Sequence, residues 1–151
     1  MKETKPKLAK LLVTMFSMLA LIHFFWASGG KWGFESVLPT DEGGIRMLNP
    51  NKADSIFIGV ALSLCGLFYW FTFISASVRT PSLVKKIGLW VIPLIFALRA
   101  LGDFKYIGFF KQVKSTEFTK LDTWFFSPLC LTIALIGFML LYKKNESPSS
   151  I

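Results

Sequence analysis

Apolar residues occur along this chain in four long blocks, and nearly all the charges lie between them. The first block, Leu8 to Ala27, is interrupted by Lys10 near its start and His23 near its end. Ile56 to Ser75 carries no charge at all. Ile87 to Leu101 is shorter and contains Arg99, but its apolar pattern continues through Phe104, Tyr106 and Ile107. Phe125 to Tyr142 is again uncharged. A bilayer core about 30 Å thick needs roughly 20 apolar residues as a helix. Backbone in hydrocarbon must satisfy its own hydrogen bonds, so each block predicts a membrane helix.

The expected fold is therefore all-α: a transmembrane four-helix bundle forming a single membrane domain over residues 1–151. Its helices are expected over about 8–27, 54–77, 82–107 and 125–142, joined by two ordered extracytoplasmic loops over about 28–53 and 108–124. Start signals support these limits. Asp54 is placed to cap the second helix, while Thr80-Pro81 and Ser127-Pro128 set a proline in the first turn of the third and fourth. The first block begins basic and ends at the small residues Ala27, Ser28 and Gly29, the outline of a secretory signal. It exceeds the usual apolar core of such signals, about 7–15 residues, so it is expected to be retained.

Packing between helices in lipid depends on close approach at small side chains. Gly59, Ser63 and Gly66 form one such stripe on the second helix, and Cys130, Ala134 and Gly137 repeat the spacing on the fourth. Pro93 removes one hydrogen bond from the third helix and crowds the carbonyl of Leu89. Cys65 and Cys130 fall at depths differing by about 10 Å at the helical rise, which is beyond disulfide reach.

Charge sets the expected orientation. An even number of crossings puts both tails and the connection between the second and third helices on one side. That side carries Lys2, Lys5, Lys7, Lys10, Arg79, Lys85, Lys86, Lys143 and Lys144, against Glu3 and Glu146. The other side carries Lys31, Arg46, Lys52, Lys105, Lys111, Lys114 and Lys120, balanced by Glu35, Asp41, Glu42, Asp54, Asp103, Glu117 and Asp122. The positive-inside rule thus places the N and C termini in the cytoplasm. The net charge of +8 does not point to nucleic acid, because the lysines flank apolar blocks and do not concentrate on a soluble face.

Ionisable groups at membrane depth are candidates for function. His23 lies about 22 Å along the first helix and Arg99 about 18 Å along the third, at similar depth in the outer half. Asp103 follows Arg99 at i+4 on the same face, and Glu35 and Asp122 can approach that level from the outer loops. These residues define a candidate ligand pocket of His23, Arg99 and Asp103, rimmed by Trp26 and Trp32. The competing account is structural: Arg99 pairs with Asp103 or reaches outward, and His23 satisfies a nearby carbonyl. No carboxylate lies in the middle of a span, no nucleophile or phosphate-loop motif occurs, and one histidine cannot make a histidine-rich metal site. No metal or cofactor is expected, and no residue is assigned a catalytic role.

The first outer loop mixes Gly29, Gly30, Gly43 and Gly44 with Trp32, Phe34, Val37, Leu38, Ile45, Met47 and Leu48. It is too apolar for a disordered linker and is expected to fold as a cap or a lid. The second, Phe104 to Phe126, interleaves four lysines with aromatics, a pattern suited to the bilayer interface and to anionic headgroups.

At these segments the sequence resembles a bacterial family of small multi-pass membrane proteins known as a domain of unknown function. The resembling stretches are Gly29-Gly30-Lys31-Trp32-Gly33, Val37-Leu38-Pro39, Arg99-Ala100-Leu101-Gly102-Asp103-Phe104, Gly108-Phe109-Phe110-Lys111, Leu121-Asp122-Thr123 and Ser127-Pro128-Leu129-Cys130. The resemblance implies a bacterial cytoplasmic membrane and a four-pass fold; it implies no activity. The favoured expectation is a non-enzymatic membrane protein that binds a lipid or small anionic ligand near Arg99, or joins a membrane partner or a second copy of itself. The rivals are an intramembrane enzyme acting on an apolar substrate, with His23 as acid–base group and Arg99 as anion stabiliser, and a dimeric small-molecule transporter.

Overall fold

The computed structural model describes residues 4–41, 43, 45–76, 80–103, 105–113 and 116–142. Lys2, Glu3, Glu42, Gly44, Ser77, Arg79, Phe104, Lys114, Lys143, Lys144 and Glu146, which enter the charge, loop and boundary expectations, lie outside the described residues. Four long helices form: α1 (Thr4–Ala27), α2 (Lys52–Phe73), α3 (Ser82–Leu101) and α4 (Glu117–Leu141). The described residues are all-helical apart from loops, a short 3₁₀ turn at Glu35–Val37 and one isolated bridge between Thr40 and Arg46.

The helices pack as two antiparallel pairs, α1 along α2 and α3 along α4, with α1 joining the pairs against α4. Small residues set the approach. A methyl group added at Gly59 would meet the Phe24 ring at 2.8 Å, and one at Gly66 would touch Phe16 at 3.4 Å. On the other pair, a methyl group at Gly137 would meet Pro93 at 2.8 Å and the Tyr69 hydroxyl at 3.0 Å. Ser63 turns its hydroxyl back to the Gly59 carbonyl, Ala134 is buried, and Cys130 is half-buried. Where the pairs meet, Phe16 stacks on Tyr69 at 5.9 Å and sets its edge against Phe96 at 5.4 Å. Leu12, Ile133 and Leu140 complete this core.

Outside the core the helices stay apolar. Phe57, Leu21, Leu64, Trp90 and Ile95 are all exposed, a surface that water penalises and hydrocarbon does not. Three helices, α1, α2 and α4, are long and apolar enough to cross a membrane. In α3 the charges Lys85, Lys86 and Arg99 fall within its 20 residues and leave Ile87–Leu98 as the uncharged run.

Local chemistry moves several helix ends from their expected positions. Asn51, and not Asp54, is the N-cap of α2. Its side chain accepts from the Asp54 amide at 3.1 Å while Asp54 accepts from the Asn51 amide at 2.8 Å, a capping box. Pro81 is the N-cap residue of α3. That helix ends at Leu101 and does not run on to Ile107, because Gly102 turns the backbone to a φ of 90°. A side chain there would strike the Ile107 carbonyl oxygen at 1.7 Å. α4 starts well before Phe125: the Thr116 hydroxyl accepts from the Thr119 amide, and Phe118 and Thr119 turn inward while Glu117 and Lys120 face out. Ser127-Pro128 then lies within a helix already under way.

Candidate functional site: a buried carboxylate clamp at the loop end

Both long loops gather at one end of the molecule, where the Glu35–Val37 turn packs on the first turns of α4. At this end Asp122 is wholly buried. It begins a π-helical turn, Asp122–Phe126, in which the Ser127 amide donates to the Asp122 carbonyl. Such a turn is wider than an α turn and occurs often at functional positions. Here it brings the Ser127 hydroxyl back to the Asp122 carboxylate at 3.1 Å.

Four groups converge on that carboxylate. Arg99 Nη2, from the last turn of α3, donates to Oδ1 at 2.8 Å. Lys111 Nζ donates to Oδ2 at 2.9 Å and the Gly108 amide donates to Oδ2 at 2.7 Å, with Ser127 as the fourth. Lys111 is itself buried and also donates to the Gly108 carbonyl at 3.0 Å. An isolated buried lysine would be strongly disfavoured, so the clamp is held only while charges and hydrogen bonds are matched. Two cations face one carboxylate, an excess of one positive charge. Arg99 supplies the open edge: its side chain is 32 % exposed, yet its second terminal nitrogen, Nη1, is enclosed without a hydrogen-bond partner among the described residues.

The loop after α3 is shaped to deliver Lys111 and Gly108 to this point. Asp103 accepts from the amides of Lys105, Tyr106 and Ile107 at 2.7–2.9 Å, curling the chain tightly behind the helix end. Gly108 then adopts a φ of 88°, and a side chain there would strike the Leu101 carbonyl oxygen at 2.3 Å. The Phe109 amide ties the return to the Ala100 carbonyl at 2.9 Å. Burial works against ionisation of Asp103, but these amide donors prevail and hold its carboxyl below the usual carboxylate range.

The residues picked out from sequence are thus distributed over three groups. Arg99 and Asp122 meet directly. Asp103 lies close in the chain but spends its carboxylate on its own loop, so Arg99 pairs with Asp122 in its place. His23 donates from Nδ1 to the Leu19 carbonyl at 2.8 Å and sets its ring edge-on to Trp26 at 5.0 Å. Trp26 in turn donates to the Trp32 carbonyl at 2.9 Å. Glu35 pairs with Arg46 at the surface. Among the described residues, no hydrogen bond or ion pair joins His23 or Glu35 to Arg99. The sequence marked Lys111 as an interfacial lysine, Ser127 as a helix start and Gly108 in a family stretch, but placed none of them at the pocket. The available signal was electrostatic, since a second buried cation has to find the same carboxylate.

Among the described residues, three helices long and apolar enough to cross a membrane and an ion cluster buried at one end match what a small helical membrane protein requires. Residues 16–137 match the family model described as a protein of unknown function (DUF3995), and the chain belongs to that family. Neither a curated protein nor a solved structure matches it. The stretches on which the family resemblance rests supply Arg99, Gly102, Asp103, Gly108, Lys111, Asp122 and Ser127, the residues that build the clamp and its loop.

Proposed function

We propose that this chain is a four-pass protein of a bacterial cytoplasmic membrane, with both termini cytoplasmic, that binds a phosphate-type anion at Arg99. The observation that carries this reading is the partly exposed Arg99 guanidinium, whose Nη1 has no hydrogen-bond partner among the described residues, beside a cluster with one excess positive charge. A guanidinium with one nitrogen committed to a carboxylate and the other free presents half of a bidentate fork to an anion. The exposed Trp124, Phe125 and Phe110 on the same end suit the headgroup level of a bilayer. A crossing α3 is supported by its length, 20 residues, or about 30 Å at the helical rise, which equals the hydrocarbon thickness. Its Lys85 and Lys86 lie in the second turn, within side-chain reach of one interface, and Arg99 is neutralised by Asp122 near the other. Orientation rests on the density of lysine and arginine in the tails and the short α2–α3 connection.

The test is lipid retention by the purified full chain in bilayer discs of phosphatidylcholine with or without phosphatidylglycerol, read by native mass spectrometry. Phosphatidylglycerol is expected to be retained in preference, and Arg99→Lys to reduce that preference about tenfold, the value of one charge-assisted hydrogen bond. The lysine keeps the pair with Asp122 but lacks the second nitrogen. Displacement by millimolar inorganic phosphate identifies a free small anion as the ligand, and resistance to it identifies the lipid headgroup. An unchanged preference in Arg99→Lys refutes the assignment.

A further inference from the structure

A separate feature lies where the two helix pairs meet. Tyr69, on α2, is wholly buried, and among the described residues its hydroxyl has no hydrogen-bond partner. That hydroxyl reaches across to the second pair, where it and Pro93 flank Gly137 of α4. Pro93 lies within α3 and carries no N–H, so the Leu89 carbonyl one turn earlier lacks its helical donor. Leu89 is buried in the same apolar cluster as Tyr69. A buried donor and a buried acceptor thus share one core, on opposite sides of the joint, and each is costly to leave unpaired in apolar surroundings. We propose that the two helix pairs shift against one another between two states. This structure shows the state with Tyr69 unpaired; the other closes a hydrogen bond from its hydroxyl to the Leu89 carbonyl.

Packing makes that bond depend on movement of whole helices. The Tyr69 ring is held between Phe16 at 5.9 Å and Phe73 at 6.4 Å, both nearly parallel to it, and Phe68 stands edge-to-face at 5.2 Å. All three belong to α1 and α2, so the hydroxyl travels with that pair and cannot swing to α3 by rotation of the ring alone. On the opposing side the aromatic rings bear on glycines. Phe68 rests on Gly88 of α3, where an added methyl would meet the ring at 2.5 Å, and Tyr69 rests over Gly137. Neither glycine offers a side chain to lock the facing helix, which suits small sliding of packed helices. Within each pair the helices touch along their length, while α2 and α3 touch sparsely. Each pair therefore moves as a body. The shift reaches the loop end as well, because the Glu35–Val37 turn of the first pair rests on the first turns of α4 in the second.

The test uses the full chain in bilayer discs, with Cys65→Ala and Cys130→Ala, and spin labels at Met18→Cys on α1 and Ile95→Cys on α3, both exposed positions. Pulsed electron paramagnetic resonance is expected to resolve two distances between the pairs. Tyr69→Phe keeps the ring and removes the donor, while Pro93→Ala returns a helical donor to the Leu89 carbonyl. Each is expected to lower the ratio of the second state to the first about fivefold, the value of one neutral hydrogen bond. The double variant is expected to lower it no further than either alone, since both remove the same bond. A single distance in the parent, or a ratio that neither variant moves, overturns the proposal. Labels at Met18→Cys and Leu64→Cys, both on the first pair and exposed, are expected to give one distance; two would place the movement inside that pair and overturn it also. A second measurement needs no label. Ultraviolet resonance Raman of the native chain, with Tyr69 isolated by difference against Tyr69→Phe, reports whether its phenol donates. A donating fraction that disappears in Pro93→Ala is expected, and its absence from the native chain, or its persistence in Pro93→Ala, overturns the proposal independently.

Discussion

Replacing Asp122 by alanine tests whether the carboxylate clamp holds the loop end together. The side chain is fully buried and accepts from Arg99, Lys111, Gly108 and Ser127 at 2.7–3.1 Å. Its removal leaves Lys111 buried with only the Gly108 carbonyl and strips the Gly108 amide of its acceptor. Breaking a buried pair from one side costs about 3–5 kcal/mol, a shift of roughly two to three and a half powers of ten in the unfolding equilibrium. Glu35→Ala serves as the contrast, because its pair with Arg46 is solvent-exposed and is worth about 0–1 kcal/mol. The assay is reversible unfolding in mixed micelles, followed by tryptophan fluorescence. A double variant, Asp122→Ala with Lys111→Met, removes the stranded cation and is expected to recover about 1–3 kcal/mol relative to Asp122→Ala, the coupling typical of residues in one network. If Asp122→Ala costs no more than Glu35→Ala, or if Lys111→Met gives no recovery, the clamp does not hold this end of the fold.

Three further outcomes follow from local geometry. Gly108→Ala combines a positive φ with a clash on the Leu101 carbonyl; it is expected to cost at least about 1–3 kcal/mol and to speed hydrogen exchange at the Gly108 and Phe109 amides, and unchanged exchange would refute the close approach. Asn51→Ala removes half of the α2 capping box and is expected to cost about 1 kcal/mol, with faster exchange confined to the first turn of α2. Because the carboxyl of Asp103 is held below its ordinary value, its contribution to stability is fully present above about pH 3.9, the unfolded value, and is lost as pH falls through the lower folded value. Exchange at Lys105, Tyr106 and Ile107 is therefore expected to accelerate only below that pH, and Asp103→Asn to abolish this dependence.

Block length alone foretold four helices and the long loop within each helix pair. In a solvent of hydrocarbon the backbone has almost no alternative to helix, so the apolar blocks at Leu8–Ala27 and Ile56–Ser75 needed no tertiary information. Helix ends were less legible. Gly102 terminates α3 because the returning chain at Ile107 and Gly108 occupies the space a side chain needs, and that contact belongs to the folded loop. Glu117–Leu121 resembled an interfacial segment by composition, yet the Thr116 cap and the inward turn of Phe118 make it helix.

The candidate site divides in the same way. Arg99 stands out in the sequence because a guanidinium beside an apolar run needs a partner. Asp103 was the partner that helical spacing offered. Only the folded chain decided for Asp122, twenty-three positions away, because a tight loop consumes Asp103 with three amides and returns Lys111 and Gly108 to the same carboxylate. Spacing along one helix is a local property that sequence carries directly. The pairing of charges between helices is decided by desolvation and loop closure together, and those act only once the chain is packed.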